Sequence, residues 1–185
     1  PKAAGVVNLY TREYFALVKS RLTEGGVTTH WLPVFQLLET DTRAIIAGFC
    51  EVFDDCTLWN GSGLEWMLVG SRRAQPVSAQ HFSRQWHDPV VAPELRALGL
   101  EGPEQLGALF IGDAPFLEEL TAGTPPLVDN YPKRLTDSGG RPAGAVSPRA
   151  LDFHLHLMDS EATRRRFEHS EWANRLWPPE LREAT

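Results

Sequence analysis

Apolar and polar residues along the first seventy positions alternate between helical and strand-like spacing. From Thr11 to about Thr23 the apolar side chains recur with helical spacing, and Thr11 is a candidate N-cap. Gly25-Gly26 ends that helix, because glycine tolerates the positive φ common at a helix C-terminus. The β-branched and aromatic run from Val27 to Leu32 then predicts a strand that Pro33 stops.

A second helix and a β-hairpin follow. Helical spacing resumes from Thr40 through Phe53. Two further stretches, Thr57 to Trp59 and Leu64 to Val69, flank the turn-forming Asn60-Gly61-Ser62-Gly63 and predict an antiparallel hairpin. The second stretch is almost wholly apolar, so we expect it to lie centrally in a sheet. The first part of the chain therefore predicts an α/β fold.

Beyond Ser71 the pattern changes to short helical patches separated by prolines, with few strand signals. The sequence from Thr136 to Pro148 has the glycine, alanine and proline content of an irregular linker, and final helices are predicted over 147–158 and 161–176. We therefore divide the chain into an α/β part, a mainly helical extension, and a linker with C-terminal helices: residues 1–73, 74–135 and 136–185.

The composition narrows the classes of function. With 18 basic and 24 acidic side chains, the 185-residue chain has a formal net charge of −6, which argues against a general nucleic-acid-binding surface. No apolar run approaches the roughly 20 residues needed to cross a bilayer. We expect a cytoplasmic chain whose partners are small molecules or proteins; whether a parent protein carries a membrane anchor stays open.

Cys50 and Cys56 are the two cysteines of the chain, too few for a multi-cysteine framework or a thiol-based zinc site. We interpret both as reduced, structural residues, because Cys50 falls in a predicted helix and Cys56 at the start of the following strand. A disulfide between them is the alternative.

Several segments occur in the order and spacing of a known family. They are Asn8-Leu9-Tyr10-Thr11-Arg12-Glu13-Tyr14-Phe15, Leu22-Thr23-Glu24-Gly25-Gly26-Val27, Trp31-Leu32-Pro33, and the later Pro126-Leu127-Val128-Asp129-Asn130-Tyr131-Pro132. Together they resemble the polyamine aminopropyltransferases, the spermidine synthases, and in particular the bacterial spermidine-synthase-like proteins that are often fused to membrane segments. The resemblance spans about residues 1–135.

The resemblance implies a Rossmann-like sheet of the S-adenosylmethionine methyltransferase type, of which this chain supplies the last three strands with their helices. The implied reaction transfers an aminopropyl group from decarboxylated S-adenosylmethionine, the co-substrate, to putrescine or a related amine. A carboxylate must deprotonate the amine, and in the family it lies just before the proline that is Pro1 here. The glycine-rich loop also lies upstream, so we expect no catalytic residue and no turnover in this chain alone.

The resemblance also assigns candidate binding residues. Gly5 and Val6 fall where the family packs residues against the adenine, His30 falls near the amine, and Trp59 falls where a tyrosine lines the same pocket. From the residues themselves, His30 is alternatively a histidine satisfied by neighbouring backbone, and Trp59 alternatively a core residue. No metal site and no tightly bound cofactor is predicted.

Weaker candidates have simpler structural interpretations. We expect Asp54-Asp55 to be a solvated turn, Asp129-Asn130 a turn fixed by side-chain hydrogen bonds, and Arg164-Arg165-Arg166 a solvated helix face. His154 and His156 are two positions apart on a predicted helix and so point in different directions.

Two other functions stay open: a noncatalytic binding or scaffold module with the same fold, and a fragment of an S-adenosylmethionine-dependent methyltransferase. If the chain is instead the C-terminal part of the aminopropyltransferase, the strand from Val27 to Leu32 is expected to expose an edge where the missing half should pair. A missing N-terminal half or self-association would cover that edge.

Overall fold

The computed structural model describes residues 6–61, 64–130 and 148–182. Its strands are β1 (Val27–Pro33), β2 (Thr57–Asn60), β3 (Glu65–Ser71) and β4 (Phe110–Asp113). Its α-helices are α1 (Arg12–Arg21), α2 (Glu39–Cys50), α3 (Ala79–Ser83), α4 (Val91–Ala97), α5 (Ala114–Leu120), α6 (Pro148–Leu157), α7 (Ser160–His169), α8 (Glu171–Leu176) and α9 (Pro179–Arg182). Short 3-10 helices cover Val6–Tyr10, Val34–Gln36, Arg84–His87 and Pro103–Leu109. Among the helices described, none is long and apolar enough to cross a membrane.

The N-cap and the strand start predicted at the beginning of the chain are confirmed, whereas α1 ends at Arg21, before Gly25-Gly26. The Thr11 hydroxyl accepts a hydrogen bond from the Tyr14 N–H at 3.3 Å and caps α1. Phe15 is the buried residue of this helix. Gly25 has a φ of +74°, which glycine adopts without strain. The chain therefore turns sharply into β1, which ends at Pro33 as predicted.

The sheet has the strand order β1-β3-β2-β4, and each neighbouring pair is antiparallel. The predicted hairpin of β2 and β3 is confirmed, as is the central position of β3. Because β1 and β2 both run against β3, they point in the same direction, and α2 connects them. The α/β class is confirmed, with an antiparallel sheet among the described strands.

β4 was not predicted. It is four residues long and contains Gly112, too short for an alternating pattern to stand out from the surrounding helical patches. β4 lies within residues 74–135, the predicted helical extension, and its pairing with β2 makes it part of the sheet. The register of this pairing shifts between Leu58 and Trp59.

Side chains point alternately to the two faces of the sheet, and each face packs against its own buried cluster. Leu32, Leu58 and Leu68 have no exposed surface and belong to the larger cluster, which also includes residues of α1, α2 and α6. Trp59 lies on the opposite face, because it follows Leu58 in the strand. There it packs on the smaller cluster, which consists of Phe110, Phe167, Ala173 and Trp177.

Cys50 and Cys56 form a disulfide, so the prediction of two reduced cysteines was wrong. α2 ends at Cys50, and the chain then folds back through a bond from the Phe53 N–H to the Phe49 carbonyl at 2.9 Å. A further bond joins the Cys56 N–H to the Phe53 carbonyl at 3.0 Å. These turns bring the two cysteine Cα atoms to 5.3 Å, within the range that a disulfide requires.

Candidate functional site

His30 occupies the middle of β1 rather than its carboxyl end, because the strand continues to Pro33. Its ring meets the edges of Tyr10 and Phe15, with centroids 4.9 and 5.0 Å away. Burial lowers the pKa of His30 to about 4, so the ring is neutral at pH 7. Within the described part of the chain its Nε2 atom has no hydrogen-bond partner, so the backbone contact that was the alternative is not made at that atom.

Trp59 is half-buried in the smaller cluster. Its indole N–H donates to the Thr57 hydroxyl at 2.7 Å, and its ring lies 5.2 Å from Phe110 and 6.0 Å from Trp177. His30 shares a face with Leu58, which places His30 and Trp59 on opposite faces of the sheet. The structure therefore does not bring the two candidate amine-binding residues together, and their roles stay predictions.

The candidate adenine-contacting residues lie at the limit of what is described. Gly5 falls outside the described residues, and Val6 begins the 3-10 helix Val6–Tyr10, which leads into the Thr11 cap of α1. Contact with an adenine ring stays a prediction at both positions.

Two neighbouring clefts lie at the end of the sheet at which β1 and β2 begin. The first has a volume of about 470 Å³ and the second about 740 Å³. Asp54, Asp55 and Arg175 line both clefts. Asp54 and Asp55 directly precede β2, so the clefts lie opposite the carboxyl edge at which open α/β sheets usually bind ligands.

Two carboxylates of the first cleft, those of Asp113 and Asp55, are held in place by hydrogen bonds. Asp113 is buried at the end of β4, where its Oδ2 accepts from the Ser170 hydroxyl at 2.6 Å and the Trp172 N–H at 3.3 Å. Asp55 accepts from the Ser71 N–H at 2.9 Å and from the Ser71 hydroxyl. These donors fix the orientation of both carboxylates and stabilise their negative charge.

Asp54 differs from these two carboxylates. Its side chain is 95% exposed and its Oδ2 lies 3.8 Å from the Lys19 Nζ, an ion pair across the second cleft. With Glu171, Asn174 and Trp172 in the first cleft, the lining offers acceptors and an aromatic surface to a polar or cationic molecule. Within residues 6–61, 64–130 and 148–182, no three His, Cys, Asp or Glu side chains are placed to hold a metal ion.

Sequence reasoning found only part of this lining. Asp54-Asp55 was interpreted as a solvated turn, but Asp55 is an oriented acceptor for the end of β3. Asp113 and Ser170 were missed because 57 positions separate them in the chain. The hint was Ser170 itself, which splits the predicted 161–176 helix into α7 and α8 and caps α8 through the Ala173 N–H at 3.0 Å.

The predicted turn at Asp129-Asn130 makes hydrogen bonds to a distant part of the chain. The Thr11 hydroxyl donates to Asp129 Oδ1 at 2.6 Å, and the Asp129 N–H donates to Glu13 Oε2 at 3.1 Å. Asp129 thus binds the start of α1 rather than only its own turn. Tyr131 and Pro132, the last residues of the segment that carries the resemblance, lie outside the described residues.

The basic run divides into two kinds of residue. Arg164 and Arg165 are exposed and pair with Glu168 and Glu161 one turn away, as expected for a solvated face. Arg166 is half-buried and donates to the Ile111 carbonyl of β4 at 2.6 Å and to the Leu157 carbonyl at 2.8 Å. The prediction of a solvated face was therefore wrong for Arg166.

Comparison with known proteins identifies no relative: no protein-family model, no curated protein and no solved structure matches this chain. Its function has to be inferred from its residues and their arrangement.

Proposed function

We propose that this chain is the C-terminal part of a spermidine-synthase-like aminopropyltransferase. The parent protein transfers the aminopropyl group of decarboxylated S-adenosylmethionine to putrescine or a related amine. The observation that carries the proposal is the arrangement of the first three strands: β1 and β2 point the same way, α2 connects them, and β3 lies between them. Mixed sheets are common among large α/β folds, and in the proposed parent β3 is the antiparallel strand of such a sheet.

The two edges of the sheet differ in a way that supports this proposal. Among the described residues, β1 pairs only with β3, and Val27 and Trp31 on that strand are 56% and 44% exposed. The other edge, β4, is packed against α7 and receives the bond from Arg166. An uncharged strand with an open edge is suited to pair with a further strand. In the proposed parent, that strand belongs to the cofactor-binding half.

The proposed reaction requires a neutral amine. Its nitrogen lone pair attacks the carbon next to the sulfonium, the C–N bond forms as the C–S bond breaks, and methylthioadenosine leaves. The proton that the amine loses goes to a carboxylate. The resemblance places this carboxylate just before Pro1, and the glycine-rich loop further upstream.

A thermal-shift titration of the full-length parent protein tests the proposal. Methylthioadenosine and putrescine should each raise the melting temperature, because a ligand at about 100 times its Kd adds about 2.7 kcal/mol to the free energy of unfolding. Incubation with decarboxylated S-adenosylmethionine and putrescine should then release methylthioadenosine. Stabilisation by S-adenosylmethionine alone would assign the parent to the methyltransferases instead.

One observation favours a second function, a noncatalytic binding or scaffold module. His30 and Trp59 both sit in packed aromatic clusters, on opposite faces of the sheet. A protein that has lost the reaction would retain them for packing. Absence of stabilisation by all three small molecules, together with no product, would support this second function.

A further inference from the structure

The disulfide closes a short loop that contacts α1, α2 and β3. Between Cys50 and Cys56 the chain places Phe53 in the core, where its ring stacks on Phe49 at 4.6 Å and leaves no room for a side chain at Gly70 of β3. The Val52 carbonyl accepts a hydrogen bond from Lys19 of α1. We call residues 51–55 the disulfide loop.

The disulfide loop also holds the end of β3. Asp55 accepts hydrogen bonds from both the N–H and the hydroxyl of Ser71, and the Ser71 hydroxyl oxygen accepts from the Ala74 N–H at 2.8 Å. These hydrogen bonds fix the position at which the polypeptide leaves the sheet after β3. The segment that follows, Arg72 to Pro76, lines the second cleft.

The same loop forms most of the wall that the two clefts share, because Asp54 and Asp55 line both, with Arg175 of α8. If the disulfide loop became less rigid, both clefts and the path of the chain after β3 would therefore change together. We propose that the Cys50–Cys56 disulfide is a redox site, and that its reduction releases the loop and reshapes the two clefts. The reductant is a dithiol.

The exchange proceeds in two steps that conserve atoms and electrons. Cys50 is partly exposed whereas Cys56 has no exposed surface, so a thiolate of the dithiol attacks Cys50. The bond to Cys56 breaks, and Cys56 leaves as a thiolate that takes a proton. The second thiol of the reductant then displaces Cys50 from the mixed disulfide. Two electrons and two protons pass to the protein, and the reductant becomes a disulfide.

Hydrogen exchange measured by mass spectrometry, with and without dithiothreitol, tests the proposal on the unaltered chain. Reduction should speed exchange of the Cys56, Ser71 and Ala74 amides by about tenfold or more, because the cross-link no longer restricts the open loop. The amides of α7 serve as the internal reference and should not change. Equal protection of the loop before and after reduction would overturn the proposal.

Two variants separate the disulfide from the Asp55 contact. The double variant Cys50→Ser, Cys56→Ser should exchange rapidly at the same amides without reductant, and dithiothreitol should add nothing. Asp55→Asn should keep the disulfide and the protection of the Cys56 amide but speed exchange at Ser71. If alkylation labels both cysteines of the unreduced protein completely, no disulfide forms and the proposal fails.

Discussion

Thr11 makes a local contact and a long-range contact with one hydroxyl group. It caps α1 by accepting from the Tyr14 N–H, and it donates to Asp129, 118 positions along the chain. The sequence predicted the cap, since threonine before a helical pattern is a strong start signal. The bond to Asp129 was not predictable, because nothing near Thr11 indicates which distant carboxylate will meet it.

Thr11→Ala should lower the free energy of unfolding by about 1–2 kcal/mol, because both the cap and the contact with Asp129 are lost. Thr11→Ser keeps the hydroxyl and should lose less than half of that. Urea unfolding followed by circular dichroism measures both. Equal losses in the two variants would show that the methyl group, rather than the hydroxyl, is what matters.

His30 makes a pH-dependent contribution to stability. Its pKa is about 4 in the folded protein and near 6.5 when unfolded, so the unfolded chain binds the proton more readily. The contribution is complete above pH 6.5 and is lost as the pH falls toward 4. The expected loss by pH 4.5 is roughly 2–3 kcal/mol.

His30→Phe should remove that part of the pH dependence, because phenylalanine fills the aromatic site without titrating. His156→Phe, at an exposed position, is the control and should retain it. Urea unfolding at pH 7.0 and pH 4.5 gives the comparison. A His30→Phe protein that loses as much stability on acidification as the unaltered chain would contradict the assignment.

At the scale of secondary structure, elements with strong local signals were predicted and those that depend on distant contacts were not. α1, β1 and the hairpin follow from periodicity, from Gly25-Gly26 and from Pro33. β4 is a strand because β2 offers it an edge, which its four residues do not reveal. The disulfide likewise depends on the fold of residues 51–55, which brings together two cysteines whose spacing alone left both states open.

The same distinction applies to the clefts. Asp54-Asp55 was visible as an acidic pair, but its neighbours Asp113 and Arg175 come from β4 and α8, far along the chain. Predicting this lining required the tertiary arrangement. By contrast, the stretch from Leu64 to Val69 was expected to lie centrally in the sheet, and Trp66 within it has no exposed surface.

Arg166 closes the β4 edge of the sheet. Its guanidinium donates to three carbonyls, those of Ile111, Leu157 and Ala162, and lies 4.5 Å from the Phe116 ring centroid. Arg166→Ala should therefore lower the free energy of unfolding by about 2–3 kcal/mol, because these carbonyls lose a charged donor. Arg165→Ala, next in sequence and exposed, should change it by less than about 0.5 kcal/mol. Chemical denaturation of both variants measures the difference, and similar losses would contradict this role.

For the molecule as a whole, the difference between the covered β4 edge and the open β1 edge predicts that the chain associates with itself in solution. Among the described residues β3 is the only strand that pairs with β1, so the backbone groups on the other side of β1 have no strand neighbour there. Val27 and Trp31 on this strand are exposed and apolar. In the proposed parent these groups pair with a further strand. In the chain alone they are free to pair with another copy, so we expect association that increases with concentration.

A charge on this strand should suppress that association. Trp31→Lys places an ammonium beside the open edge, where it opposes pairing with a second copy. Leu17→Lys, at a 55% exposed position on α1, is the matched control because it adds the same charge away from the edge. Sedimentation velocity over a range of concentrations should show association for the unaltered chain and the control, and a monomer for Trp31→Lys. If all three associate equally, the contact lies elsewhere and the open edge of β1 does not govern assembly.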